Sequence, residues 1–364
     1  MAISPRRNIL GLQECYHGSL DRYEMERMGM DPDSIIDFSA NCNPLGPSEK
    51  VRAALNNVPL ERYPDRQGTA LRRALSELND VPVDHIALGN GSVELIWAAS
   101  LAFLDPGDSV LIVGPTFGEY EMASRIAGAT VAMHLAEESN DFEVDVDAVV
   151  AEVQRVRPRL VFVCNPNNPT GRYLERESVE RLLFECTDSL VAIDEAYVSF
   201  VEATESLIDL VERSNLVLLR SMTKDHALAG LRIGYALGCP TVISVLDRAR
   251  PPWSINALAQ AAAIASLQDR AHLNRSRDEV FRAKQTLIEG LRELGLRPVP
   301  SSANFVLVRV GRAADFRAQL LREGFCVRDC TSFGLPAHVR IAVRTVSQCE
   351  SLLSAIRGIL VSQD

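Results

Sequence analysis

Little in this sequence points to a metal centre, a membrane or a nucleic acid. Its eight cysteines are scattered, with no CxxC pair. The nearest two, Cys326 and Cys330, have no His or Cys partners at zinc spacing. That usage fits reduced thiols of a cytosolic protein, so a cytoplasmic location is expected. No apolar stretch reaches the length of a membrane span. The start MAISPRRNIL lacks the apolar core of a secretory signal, and none is expected. Basic residues do not predominate: the formal net charge is −10 and the sequence pI about 5.3. This argues against broad binding to nucleic acid or anionic membrane. It leaves room for a small anionic substrate, which needs only a local basic pocket. There is no internal repeat, no low-complexity segment, no GxGxxG and no P-loop.

What is present is an ordinary globular composition in a long chain. The 364 residues are 47% hydrophobic, with mean hydropathy +0.02. That length predicts two domains, or one large domain with a lobe. Residues 1–45 read as irregular, and the prolines and glycine of Asn43-Pro44-Leu45-Gly46-Pro47 mark a loop. Helices are predicted from Ser48 to about Asn56, with Ser48 as N-cap, and over 69–79. From Ile86 onward strands and helices alternate. Strands are predicted at Ile86–Leu88, Val110–Val113, Val131–His134, Leu160–Cys164, Leu190–Ile193, Leu216–Leu219 and Tyr235–Leu237, with helical patterns between most of them. This is the pattern of an α/β domain with a mostly parallel sheet and helices on both faces. After Pro251-Pro252-Trp253 the texture changes to one or two long helices, then short apolar runs with a helix near 314–322 and a closing helix at about 346–360. The expected division is a large domain over 46–250 and a smaller α+β lobe from 1–45 and 251–364.

Chemistry is concentrated in LVLLRSMTKDHALAGLRIGY, residues 216–235. A buried strand ends, two hydroxyls (Ser221, Thr223) precede Lys224, and Arg232 follows eight residues later. The amine can form an imine with a carbonyl cofactor. The hydroxyls and guanidinium can hold a phosphate. Pyridoxal phosphate carries both groups. Four other strand ends supply matching parts. Gly89-Asn90-Gly91-Ser92 opens a helix whose backbone N–H groups can bind an anion; the alternative is plain helix capping by Ser92. Phe117 can stack on a flat ring or fill the core. The loop Asn165-Pro166-Asn167-Asn168-Pro169-Thr170-Gly171 offers side-chain amides. Asp194, at a buried strand end, is costly unless paired, and a pyridinium nitrogen is a suitable partner. Tyr197 follows three residues later. Each feature has a bland explanation alone; five on one sheet edge form a pocket.

NPNNPTG at 165–171, DEAY at 194–197 and SMTK with GLRIGY at 221–235 resemble, in order and spacing, the fold-type I pyridoxal-phosphate enzymes of the class I/II aminotransferase group. The resemblance covers nearly the whole chain. It implies Lys224 as the Schiff-base lysine, Asp194 on the pyridine nitrogen, Asn168 and Tyr197 at the phenolic oxygen, and Phe117 on the ring. It assigns the phosphate to Gly91, Ser92, Ser221, Thr223 and Arg232, with Tyr63 reaching it from the other subunit of a homodimer. Arg340 resembles the arginine that clamps the substrate carboxylate, and Arg328 the one that binds a substrate phosphate. Arg344 is a second phosphate candidate, with an exposed edge-strand charge as the equal alternative. His17 and Asn41 are further substrate candidates. No metal is expected.

Two subfamilies compete, both acting on small phosphorylated amino compounds. DFSANCNPLG at 37–46, ERYPD at 61–65, PWSINALA at 252–259 and RDC with RIAVRT near the end are more similar to threonine-phosphate decarboxylase, the lyase of cobalamin side-chain synthesis. The first reading is therefore a decarboxylase. His17-Gly18-Ser19 in place of HGG, Tyr197 in place of Phe, and DHALAGLR at 225–232 point to the alternative, an aminotransferase of the histidinol-phosphate type. A regulator with an aminotransferase-like sensor domain is a third class. It is set aside because no room precedes His17 for a DNA-binding domain.

Overall fold

The alternating apolar runs do what their composition requires: they pair into a sheet buried on both faces. The structure, a computed structural model, describes residues 3–12, 15–202 and 206–361. A short first strand, β1 (Ile36–Phe38), belongs to a second sheet. The next seven strands form the large sheet: β2 (Ile86–Gly89), β3 (Ser109–Gly114), β4 (Thr130–Leu135), β5 (Leu160–Cys164), β6 (Leu190–Asp194), β7 (Leu216–Ser221) and β8 (Gly234–Gly238). Their order is β2-β8-β7-β6-β5-β3-β4. β4, β3, β5, β6 and β7 run parallel, while β8 is antiparallel to both of its neighbours, β7 and β2. The strands match the sequence expectation to within two residues at every end.

Alternation within each strand sends side chains to two separate cores. Val191, Ile193, Leu216 and Leu218 pack with Val149, Val179 and Leu182 of the helices on one face. Leu190, Ala192, Val217 and Leu219 pack with Leu95, Ile96, Tyr120 and Val242 on the other. Each fully buried Val, Leu or Ile side chain among these contributes about 1.5–3 kcal/mol of transfer free energy. The helix Ala257–Leu267 lies on helices Glu49–Leu55 and Thr69–Asn79, so its alanines 259, 262, 263 and 265 join the core of the large sheet.

From there the helix Arg270–Glu293, about 36 Å long at 1.5 Å per residue, leads to the second sheet. That sheet holds β1, β9 (Phe305–Arg309), β10 (Phe325–Asp329) and β11 (His338–Ala342) in the order β1-β10-β11-β9. One face, with Val306, Val308, Val327, Val339 and Ile341, is covered by helices Arg270–Glu293, Ala313–Arg322 and Val346–Val361. The residues alternate with these toward the other face, including Arg328 and Arg340.

The early segment is less irregular than its sequence suggests. Asp21 caps a helix, Arg22–Met28, by accepting from the N–H groups of Tyr23 and Glu24, and Gly29 ends it with φ 67°. Only Met25 of that helix is buried, so it carries no apolar period. β1 is three residues long and exists because β10 pairs with it in parallel. All eight cysteines are free thiols. Among the described residues no helix is long and apolar enough to cross a membrane, and no cluster of metal-ligating side chains is found.

Candidate active site

The ends of β2, β8 and β7 lie in one row, Gly89 opposite Gly234 and Gly234 opposite Ser221. This row brings distant motifs together. Gly91 caps the helix Ser92–Phe103 with φ 73° and ψ 161°, a conformation side chains rarely adopt. A Cβ on Gly91 would lie 2.5 Å from Arg232 Nη2, and one on Gly234 would lie 2.5 Å from the Ser92 backbone nitrogen. The two glycines thus let the guanidinium and the helix N-terminus converge. Ser92 is the first helical residue and the cap makes no side-chain hydrogen bond, so plain capping by Ser92 is not what the turn does. First-turn N–H groups have no partner within the helix and favour an anion. Ser221 and Thr223, both buried, share a hydroxyl hydrogen bond of 2.7 Å beside them.

Asp194 closes β6 and is 4% exposed. Its carboxylate accepts from the Tyr120 hydroxyl at 2.8 Å and from the Ala196 N–H at 3.0 Å. Burial pushes its pKa up from 3.8 to about 6, against the Tyr120 hydrogen bond and the Lys224 charge, which pull it down. Such an acid is short of a cation. Lys224 follows β7 and is partly buried, and its carbonyl accepts the Asn43 N–H at 2.8 Å while the Asn43 amide donates to Asp225 O at 2.9 Å. The early loop therefore holds the lysine turn in place. Phe117 is partly buried, with its ring edge-on to Tyr120 at 5.7 Å, and Tyr120 stacks on Phe162 at 5.0 Å.

Three asparagines of the 165–171 loop divide their tasks. Asn165 exchanges hydrogen bonds with Leu174, and Asn167 donates to Pro115 O and Thr170 Oγ1, so both hold the loop itself. Only Asn168 is turned to the site, where its Oδ1 accepts from Arg340 Nη1. Arg340 also donates to Ser39 O at 2.7 Å, is 4% exposed, and lies over the Phe305 ring at 5.3 Å. Tyr197 packs edge-on to the same ring at 5.0 Å, and its hydroxyl accepts from the Asn41 amide at 3.3 Å.

Arg328 on β10 stands directly opposite Arg340 on β11. Like charges opposite each other on one face are destabilising. Burial and the Arg340 charge hold the Arg328 pKa below the usual guanidinium range. Arg328 is steadied by Tyr16 O at 2.7 Å, Ser332 Oγ at 2.6 Å and the Phe333 ring. The Nε atoms of Arg328 and Arg340 are both buried without a hydrogen-bond partner. A bound anion would satisfy this pair. Arg344 lies beyond β11 and outside its pairing with β10; it is half-buried, and its charge lowers the Cys349 pKa against burial.

His17 is 2.9 Å from Glu119 Oε1 and 5.3 Å from the Phe117 ring. The His17 hydrogen bond, with a second from Trp97 Nε1, holds the Glu119 carboxyl below its usual range against burial. A Cβ on the neighbouring Gly18 would lie 2.2 Å from Ser39 O and 2.8 Å from Arg340 Nη2, so glycine is required where that arginine passes. A wide cleft lined by Tyr16, His17, Phe117, Arg328 and Ser332 opens onto this face. Tyr63 is 82% exposed in the single chain, its ring 4.9 Å from Trp253. Sequence reasoning missed Tyr120, Glu119 and Asn43. Tyr120 was legible in principle, since it lies three residues after Phe117 at the start of a helix.

The chemistry present suits pyridoxal phosphate: helix N–H groups, two hydroxyls and a guanidinium converge as an anion would require, and a buried acid lies within electrostatic range of an amine. The family model for aminotransferases of class I and II matches residues 33–356. Histidinol-phosphate aminotransferase 2 of Pseudomonas fluorescens (strain Pf0-1) is 37% identical over 340 residues, covering 92% of this chain and 91% of that protein. The solved histidinol-phosphate aminotransferase of Sinorhizobium meliloti, in complex with pyridoxal-5'-phosphate, superposes with a TM-score of 0.87 at 23% identity, covering 100% of this chain and 99% of that one, which speaks to the fold. L-threonine-O-3-phosphate decarboxylase of Porphyromonas gingivalis superposes with a TM-score of 0.77 at 28% identity, over 89% of this chain and 99% of that one. The chain belongs to the class I and II aminotransferase family.

Proposed function

We propose that this enzyme is a pyridoxal-phosphate-dependent aminotransferase of a small phosphorylated amino compound, of the histidinol-phosphate type. The observation that carries the reading is the cross-strand pair Arg328 and Arg340, two cations opposite each other, the first half-buried at the cleft and the second buried against Asn168. Transamination asks one site to accept two substrates in turn, an amino donor and an oxo-acid acceptor. A paired arginine site can take a phosphate in one half-reaction and a carboxylate in the other. The identity to a curated histidinol-phosphate aminotransferase supports this reading over the decarboxylase first expected.

When bound, pyridoxal phosphate supplies a carbonyl for the substrate amine and a ring that takes up the electron pair released at Cα. In the proposed roles, Gly91, Ser92, Ser221, Thr223 and Arg232 hold the phosphate, and Phe117 covers the ring. Asp194 keeps the ring nitrogen protonated, and Tyr120 orients Asp194. Asn168 and Tyr197 donate toward the phenolic oxygen. Lys224 holds the cofactor in the resting enzyme and, once released, moves a proton at Cα. We also propose that the small sheet with its helices acts as the substrate clamp and that Tyr63 completes the site of a second copy in a homodimer.

Threonine-phosphate decarboxylation is the second reading, favoured by the motifs at 37–46 and 252–259 and by the decarboxylase neighbour at 28% identity. One experiment separates the two. The purified protein is given histidinol phosphate with 2-oxoglutarate, and separately threonine phosphate. Glutamate in the first supports the proposal; CO₂ from the second, with no glutamate from the first, overturns it.

A further inference from the structure

Behind the Gly89–Ser92 turn runs a row of four alternating charges. Glu94, in the first turn of helix Ser92–Phe103, reaches back to accept the Asn90 backbone N–H at 2.7 Å. The Asn90 amide donates to Ser254 O at 3.0 Å, which ties the turn to the segment before helix Ala257–Leu267. The Glu94 carboxylate lies 3.9 Å from Arg250 Nη1. Arg250 also donates to Ser254 Oγ at 3.2 Å and to Asp247 Oδ1 at 2.6 Å. Asp247 is held a second time, by Arg72 Nη2 at 2.6 Å. The row is sheltered: Arg250 and Arg72 are each 10% exposed and Glu94 is 16% exposed.

Glu94 creates a conflict. A carboxylate in the first turn competes with a phosphate for the positive end of the same helix, and the two anions repel. Yet the carboxylate is needed, because it satisfies the Asn90 N–H and closes the turn. The ion pair with Arg250 resolves the conflict. We propose that Arg250 is a positioning residue of the phosphate cradle: it cancels the Glu94 charge, so that Glu94 fixes the turn without weakening the helix terminus for a phosphate. This rests on the phosphate role of Gly91 and Ser92 given above. Arg250 does not touch the phosphate; it acts through Glu94 and Asn90.

The test uses the full-length cofactor-free protein, titrated with pyridoxal phosphate and with pyridoxal, and read by absorbance. Arg250→Ala leaves Asp247 paired with Arg72 but strips Glu94 of its cation. It should weaken pyridoxal phosphate about tenfold, as expected for one uncompensated charge nearby. Pyridoxal, which lacks the phosphate, should be unaffected within about twofold. Adding Glu94→Gln to Arg250→Ala should restore binding, because the amide oxygen still accepts the Asn90 N–H. Arg250→Lys keeps the charge and should bind near the wild-type level, which guards against a misfolded alanine variant. Equal losses for both ligands, or no rescue by Glu94→Gln, would mean a purely structural network and overturn the inference. Wild-type protein that binds pyridoxal phosphate no better than pyridoxal would overturn the phosphate cradle itself.

Discussion

Replacing Asp194 by Asn should stabilise the cofactor-free protein at neutral pH while abolishing its chemistry. The buried carboxyl has no hydrogen-bonded cation, the Lys224 charge only partly offsets its burial, and the rise of its pKa from 3.8 to about 6 corresponds to about 3 kcal/mol of destabilisation once it is ionised. Asn removes that cost. Its carbonyl can still accept the Ala196 N–H, but the Tyr120 hydroxyl must turn round and accept from the amide, a loss of about 1 kcal/mol. The net expected gain is about 2 kcal/mol. The sign follows from proton linkage. The folded carboxyl holds its proton up to about pH 6 while the unfolded one releases it near 3.8. The stability contributed by this group is therefore whole below 3.8 and is lost as pH rises through about 6. The advantage of Asn should be complete above about pH 6 and should vanish on acidification, leaving only the weakened Tyr120 contact. Urea denaturation of both cofactor-free proteins at about pH 8 and about pH 4.5 measures it. An Asn variant less stable than wild type at pH 8, or a difference that ignores pH, would refute the reasoning. Pyridoxal phosphate should raise the wild-type midpoint more than the variant's, because only the carboxylate gains an ionic partner.

Borohydride added to the loaded protein should fix the cofactor to one peptide containing Lys224, seen as a mass shift, and Lys224→Ala should show none. Arg328→Ala should lower kcat/KM for the phosphorylated substrate by about 2–5 kcal/mol in transition-state terms, far more than for its dephosphorylated analogue. Equal losses would place the phosphate elsewhere. Arg340→Lys should behave nearly as badly as Arg340→Ala, since one ammonium cannot reach both Asn168 Oδ1 and Ser39 O while holding an anion. Mixing inactive Lys224→Ala with inactive Tyr63→Ala subunits should restore roughly a quarter of wild-type activity if each site borrows Tyr63 from the other copy of a C2 dimer. No recovery after verified subunit exchange would rule that arrangement out.

The large sheet was legible in the sequence alone, and so were the strand ends that it gathers on one edge. Strands buried on both faces must be continuous apolar runs, so β5 and β7 announce themselves as LVFVC and LVLL. Residues that must sit at strand ends, Asp194 and Lys224 among them, follow directly from where those runs stop. The helix at Thr69–Asn79 was readable from its amphipathic period. What it could not determine lies where contacts are distant in sequence. β1 is three residues that become a strand only against β10, almost 300 positions later. The helix Ala257–Leu267 looks like the start of the smaller lobe, but its alanines pack into the large-sheet core, a choice made by close helix approach and not by local pattern. The motif of three asparagines hides that only Asn168 faces the site, because which amide turns inward depends on Arg340, 172 residues away. Arg328 and Arg340 are twelve apart in sequence and directly opposed in space, while Arg344, only four beyond Arg340, lies past the strand end and outside that pairing. Strand register decides which charges share a face, and register is a property of pairing that no single run of sequence contains.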